Sequence, residues 1–203
     1  MKEYTMELCG VTRTLPFIPI NETMAFASFV VLGDTELVAT CAPKLAEMIG
    51  PVDAILTAEA KGIALAYEVS KCLGLNEFIV ARKSTKSYMK DVVSASVHSI
   101  TTTGEQHLYL DGVDASKIKN KNICIIDDVI STGESLHALE VLAQNAGANV
   151  VKKAALLAEG NAANREDIVF LKKLPLFTKT DDGYKELNSN KTRFHIWTSF
   201  ICI

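Results

Sequence analysis

Residues Asn122 to Ala143 place a strand, a short turn and a helix in immediate succession, and that order narrows the folds open to the chain. Ile123, Cys124, Ile125 and Ile126 form an apolar run without helical spacing, as expected of a strand buried on both faces of a parallel sheet. The run stops on two adjacent carboxylates, Asp127 and Asp128. Val129 and Ile130 lead into Ser131-Thr132-Gly133-Glu134-Ser135, and a helix is predicted from Leu136 onward. In a parallel sheet of this kind, ligands sit beyond the carboxyl ends of the strands.

The turn has the chemistry of an anion site. The first backbone N–H groups of the helix lack internal partners, and with the positive end of the helix dipole they favour a phosphate. Gly133 permits positive φ and close approach of backbone to ligand. Thr132 and Ser135 add hydroxyl donors. Asp127 and Asp128 repel one another when both are ionised, and sugar hydroxyls or a cation would relieve that repulsion. The ligand implied carries a phosphate together with a diol or a metal. A lone Asp128 or Ser131 would read as a helix cap, but the whole string holds more than a cap requires. No G-x-x-x-x-G-K-[ST] loop accompanies it, so a P-loop is excluded.

A chain of 203 residues, 48% hydrophobic, supports one well-packed domain with a small appendage. The formal net charge of −3 argues against a general nucleic-acid binder. No apolar stretch approaches the ~18 residues of a membrane span, and Met1 to Thr5 do not open a signal peptide. The cysteines (Cys9, Cys41, Cys72, Cys124, Cys202) are scattered and odd in number. They read as reduced thiols of a cytoplasmic protein. H-E-x-x-H, C-x-x-C and G-x-S-x-G strings are missing, and no protein side chain is expected to ligate a metal.

Along the chain, residues 1–28 read as an irregular arm or half of a small subdomain. Helical content from Val38 to Met48 is expected to break near Pro43. Ala54 to Ala58 reads as a buried strand, Gly62 to Leu73 as a helix ended by Gly74, and Phe78 to Ala81 as the next strand. Lys83 to Lys90 is a basic loop. Val92–Ile100 and Gln106–Leu110 alternate as a hairpin. Gly147 closes the helix after the acid pair, and Val150 to Leu157 gives a further strand. Strands alternating with helices imply an α/β fold with a mostly parallel twisted sheet flanked by helices. His98 and His107 read as structural or surface residues.

Asn122 to Ser135 resembles the phosphoribosyl-pyrophosphate (PRPP) signature of the type I phosphoribosyltransferases. Ile55 to Ala64 resembles that family's pyrophosphate loop in its purine branch. Phe78 to Lys83 resembles the next strand and its basic end, and Ser84 to about His107 the mobile catalytic loop. The resemblance covers about residues 30–175 and lies near the adenine and xanthine enzymes and the purine-repressor effector domains. It implies the family fold, 1–203 as a single domain with 1–28 and 176–203 forming a hood. It also implies transfer of phosphoribose from PRPP to a purine base, adenine slightly favoured, with Mg²⁺ carried in by PRPP. Asp127 and Asp128 would then be catalytic, and Ser131, Thr132, Gly133, Glu134 and Ser135 would hold the 5-phosphate. Glu59, Ala60, Lys61, Gly62, Arg82 and Lys83 would face pyrophosphate, with a cis peptide expected between Ala60 and Lys61. A homodimer is implied, with neither nucleic acid nor membrane as partner.

The chain departs from the pattern in two places. The Leu-Glu-Tyr-Gly string of adenine enzymes is replaced by Ile100-Thr101-Thr102-Thr103-Gly104-Glu105, and Gly160 follows Glu159 where xanthine enzymes place a lysine. A non-catalytic PRPP-binding regulator is therefore the alternative to an enzyme. The N-terminal segment is too short for the winged-helix domain that the repressors carry.

Overall fold

A computed structural model of the chain describes residues 2–98 and 105–187, apart from the side chains of His98, Glu105 and Gln106. The expectations for Ser99 to Gly104 and for the tail from Asn188 lie outside the described residues.

The centre is a five-stranded parallel sheet in the order β10-β9-β8-β4-β5. Its strands are β4 (Ala54–Ala58), β5 (Ile79–Ala81), β8 (Asn122–Ile130), β9 (Asn149–Glu159) and β10 (Val169–Leu174). Alternation along β8 explains its unbroken apolar run. Cys124 and Ile126 enter one core with α1 (Thr35–Ile49) and α2 (Ile63–Cys72). Ile123 and Ile125 enter the other with α4 (Glu134–Asn145), α3 (Gly112–Ile118) and the hairpin β6 (Val93–His98) and β7 (Glu105–Leu110). All four are fully buried, each isoleucine contributing roughly 1.5–3 kcal/mol of transfer free energy.

Helix α1 runs unbroken through Pro43, contrary to the expected interruption. Pro43 and Ala39, whose carbonyl loses its helical donor, both lie on the exposed face, where water can replace the bond. The opposite face buries Leu37, Val38, Cys41, Ala42, Leu45, Ala46 and Ile49. Asp34 caps the helix through Leu37 N at 3.1 Å and holds Arg13 at 2.7 and 2.8 Å. Helix α2 ends as expected: Gly74 takes φ +72, and Leu75 N returns to Ser70 O at 2.9 Å.

Within the expected arm, residues 3–27 are mostly strand rather than irregular. They form β1 (Glu3–Leu8), β2 (Val11–Pro19) and β3 (Met24–Ala27), which join β11 (Leu176–Thr180) and β12 (Gly183–Glu186) in an antiparallel sheet ordered β1-β2-β3-β11-β12. Cys9 at φ +53 and Gly10 at φ +86 make the tight connection of the first hairpin. Tyr4 and Phe17 pack on the fully buried Phe177, and Tyr184 packs on Phe17, with ring centroids 4.6–5.0 Å apart. Only Pro175 separates β10 of the parallel sheet from β11 of this one. The second sheet therefore stands beside the carboxyl end of β9, and the side chain of Leu176 lies against Gly160.

Candidate functional site

Three loops meet at the carboxyl edge of the parallel sheet. β8 carries Asp127 and Asp128 in its last turn of strand, and β9 pairs alongside through Asp127↔Ala155 and Ile130↔Ala158. Asp128 N donates to Asp127 Oδ1 at 2.9 Å, and Val129 N donates to Asp128 Oδ1 at 3.0 Å. Asp128 is 5% exposed, and its Oδ2 is buried without a hydrogen-bond partner. Burial, followed by repulsion from Asp128, raises the Asp127 pKa; burial chiefly raises that of Asp128. The Lys61 charge acts against both shifts. This is a desolvated acid pair with an unused oxygen, suited to accept hydrogen bonds from the hydroxyls of a diol.

Ser131 to Ser135 follow directly, with Gly133 at φ +83 as the N-cap of α4. Thr132 Oγ1 accepts a bond of 3.4 Å from Glu134 N. Helix α4 thus opens directly from this turn, adjacent to the acid pair.

On the other side, β4 lies between β8 and β5 through Leu56↔Ile125 and Ala58↔Ala81. The turn Glu59-Ala60-Lys61-Gly62 leads into α2, and its cis peptide is Glu59–Ala60, one residue before the position expected. Gly62 is buried, and a Cβ there would overlap Thr57 Oγ1 and approach Asp127 Cα to 3.6 Å. Thr57 Oγ1 is itself buried and unpartnered, so a hydroxyl lies between the turn and the acid pair. Glu59 is anchored rather than free. Its Oε1 accepts from Lys83 N at 2.6 Å, and its Oε2 lies 3.1 Å from Arg82 Nε. Arg82 is held there by its backbone as well, through paired bonds of 2.9 Å with Tyr109. The structure thus brings Glu59, Lys61, Gly62, Asp127 and Asp128 together, with Arg82 fixed beside Glu59 and the Lys83 side chain exposed. His107, one of the histidines read as structural, stacks on Tyr109 at 6.3 Å between centroids.

Sequence reasoning missed Thr57 and the loop after β9, and it noted Glu159 only as the residue before Gly160, not as a buried carboxyl. Glu159, 6% exposed, ends β9 opposite Leu174, and burial raises its pKa to about 7. In the following loop Arg165 is bidentate to Asp167, at 2.8 and 2.6 Å. Nothing in the spacing of these residues announces them. Among the described residues, no group of three or more His, Cys, Asp or Glu is arranged to hold a metal ion. No helix among them is long and apolar enough to cross a membrane.

Known proteins resemble the chain in sequence and in fold. The profile of the family described as "Phosphoribosyl transferase domain" matches residues 37–182. A hypoxanthine/guanine phosphoribosyltransferase of Methanococcus vannielii is 29% identical over 167 residues, covering 80% of this chain and 83% of that protein. A xanthine phosphoribosyltransferase of Clostridioides difficile is 33% identical over 138 residues, 65% of this chain and 71% of that one. The solved adenine phosphoribosyltransferase of Thermoanaerobacter pseudethanolicus superposes with a TM-score of 0.63 at 21% identity, covering 79% of this chain and 95% of that one. Matched over most of its length by the family profile and sharing the α/β fold with its antiparallel appendage, the chain belongs to the type I phosphoribosyltransferases, a family of pentosyltransferases.

Proposed function

We propose that the chain transfers the phosphoribosyl group of PRPP to a purine base and releases pyrophosphate. The observation that carries this reading is the continuity of the site. A desolvated acid pair with an orphan oxygen runs straight into a glycine turn at a helix N-terminus, and a lysine-bearing turn faces it from β4. PRPP has its ribose hydroxyls between a 5-phosphate and a pyrophosphate, in the same order.

In this reading Ser131 to Ser135 receive the 5-phosphate through backbone N–H and hydroxyl donors. Asp127 and Asp128 accept from the ribose hydroxyls and face the positive charge that develops at C1 as its bond to pyrophosphate breaks. Lys61, whose charge already acts on both aspartates, lies where the leaving group departs. Glu59 acts by positioning: it holds the Lys83 backbone and Arg82 against the turn. Together these groups hold the sugar in one orientation, so the reaction draws on positioning more than on covalent chemistry. Mg²⁺ arriving with PRPP would neutralise charge on the pyrophosphate. The acid pair, with Asp128 Oδ2 unpartnered, fits such an ion, because Mg²⁺ takes one or two carboxylates and completes its shell with substrate oxygens and water.

The relatives named for hypoxanthine, guanine and xanthine match in sequence at 29–33% identity. The adenine enzyme at 21% speaks for the fold alone. This supports a 6-oxopurine ahead of adenine as the acceptor. The test is turnover with PRPP, Mg²⁺ and each of adenine, hypoxanthine, guanine and xanthine, read as pyrophosphate release. Release with one base identifies the acceptor. PRPP binding without release from any base would make the chain a regulator instead.

A further inference from the structure

The loop after β9 sets a guanidinium against the phosphate turn. Arg165 Nη1 lies 2.6 Å from where a Cβ on Gly133 would stand. The space beside the Gly133 backbone is therefore occupied by the edge of an arginine. Its orientation is fixed from behind. Nε donates to Asp167 Oδ1 at 2.8 Å, and Nη2 to Asp167 Oδ2 at 2.6 Å. This side-on pairing uses the Nε–Nη2 edge and turns Nη1 outward. Nη1 has no hydrogen-bond partner among the described residues.

Asp167 is held in turn by Lys153 Nζ at 2.6 Å, and the same ammonium bonds Glu140 of α4 at 2.7 Å. Arg165 is thus tied, through two carboxylates and a lysine, to the helix whose N-terminus opens on the turn. Lys153 and Arg165 balance Glu140 and Asp167 in charge, so the network carries no net charge. What it offers is a directed donor at one place. The side chain of Arg165 is 31% exposed.

We infer that Arg165 is a further binding residue for PRPP, donating from Nη1 to a 5-phosphate oxygen and completing the cradle formed by residues 131–135. The inference rests on reading that turn as the 5-phosphate site. A phosphomonoester offers three acceptor oxygens and nearly two negative charges at neutral pH. The helix end supplies only about half a positive charge. A clamped arginine beside it adds a charge-assisted bond without having to be ordered when the ligand arrives.

Calorimetry with three probes, PRPP, ribose 5-phosphate and inorganic pyrophosphate, separates this role from a structural one. Pyrophosphate serves as the probe that lacks a 5-phosphate. Arg165→Gln should weaken PRPP and ribose 5-phosphate by about 10- to 100-fold and leave pyrophosphate binding unchanged. Asp167 retains Lys153 in this variant, so the loop keeps its anchor. Arg165→Lys keeps the charge but cannot make the two-pronged bond to Asp167, and should recover only part of the loss. Equal weakening of all three probes would mean that Arg165 merely supports the fold, and unchanged binding of all three would remove it from the site. Either result overturns the inference while the transferase reading stands. Wild-type protein that binds neither PRPP nor ribose 5-phosphate would instead overturn the reading of residues 131–135, and the inference with it.

Discussion

Replacing Glu159 with glutamine removes a titration that the end of β9 imposes on a carboxyl. The residue is 6% exposed, and burial alone moves its pKa from 4.5 to about 7. The folded protein therefore keeps a proton there that the unfolded chain gives up. The stability associated with that proton is fully present below the unfolded pKa and is lost as pH rises through about 7. Integrated from pH 5 to pH 8, a shift of this size amounts to about 2.5 kcal/mol. Urea titrations of wild type and Glu159→Gln across that range measure it. Wild type should lose about 2.5 kcal/mol relative to the variant over the interval. Burying the amide donors of glutamine adds a constant offset without altering this slope. Parallel stability curves, separated by the same gap at both ends, would refute the reasoning and show that the carboxyl titrates as a hydrated one.

Asp128→Asn keeps the acceptor for Val129 N but removes the charge from a site with an orphan oxygen. It should lower kcat/KM for PRPP by about 100-fold with little change in Tm, and unchanged turnover would take the acid pair out of the mechanism. Gly62→Ala drives a Cβ into Thr57 Oγ1 beside Asp127. It should cost about 1–3 kcal/mol in urea unfolding and raise KM for PRPP; wild-type values for both would show that the turn has room to spare. Gly133→Val places a β-branched residue at φ +83 with its Cβ 2.6 Å from Arg165 Nη1. Calorimetric binding of PRPP should be lost, and normal binding would place the phosphate elsewhere.

The heart of the site was legible because its signals are local. Ile123 to Ile126 without helical spacing, two acids and Gly133 specify a strand, a turn and a helix start within fourteen residues, and β8 and α4 fall there. The same holds for β4 and α2 around Gly62. What was not legible depends on contacts between distant segments. Met6 and Leu8 alternate inward from β1, yet nothing nearby in sequence shows that β3 pairs with β11. Pro43 suggested a break because the sequence does not reveal that its face of α1 is exposed. The seven-residue α3 is too short for a periodic signal. Arg165 and Asp167 sit in a polar loop that looks solvated until Gly133 is seen beneath it.

The pairing of Phe26 with Leu176 joins residues 150 positions apart. In a chain emerging from the ribosome, β1 to β3 are made first and β11 comes after the whole parallel sheet. Until then the hairpin layer presents an unpaired edge at β3. The β8–α4 unit and its neighbours can assemble from contacts much closer in sequence, while β3 must wait for a closure that is entropically costly and therefore late. The order of synthesis thus makes the parallel sheet with its acid pair an earlier structure than the completed antiparallel layer. A chain stopped before residue 176 would carry the acid pair and the glycine turn beside a strand edge open to aggregation.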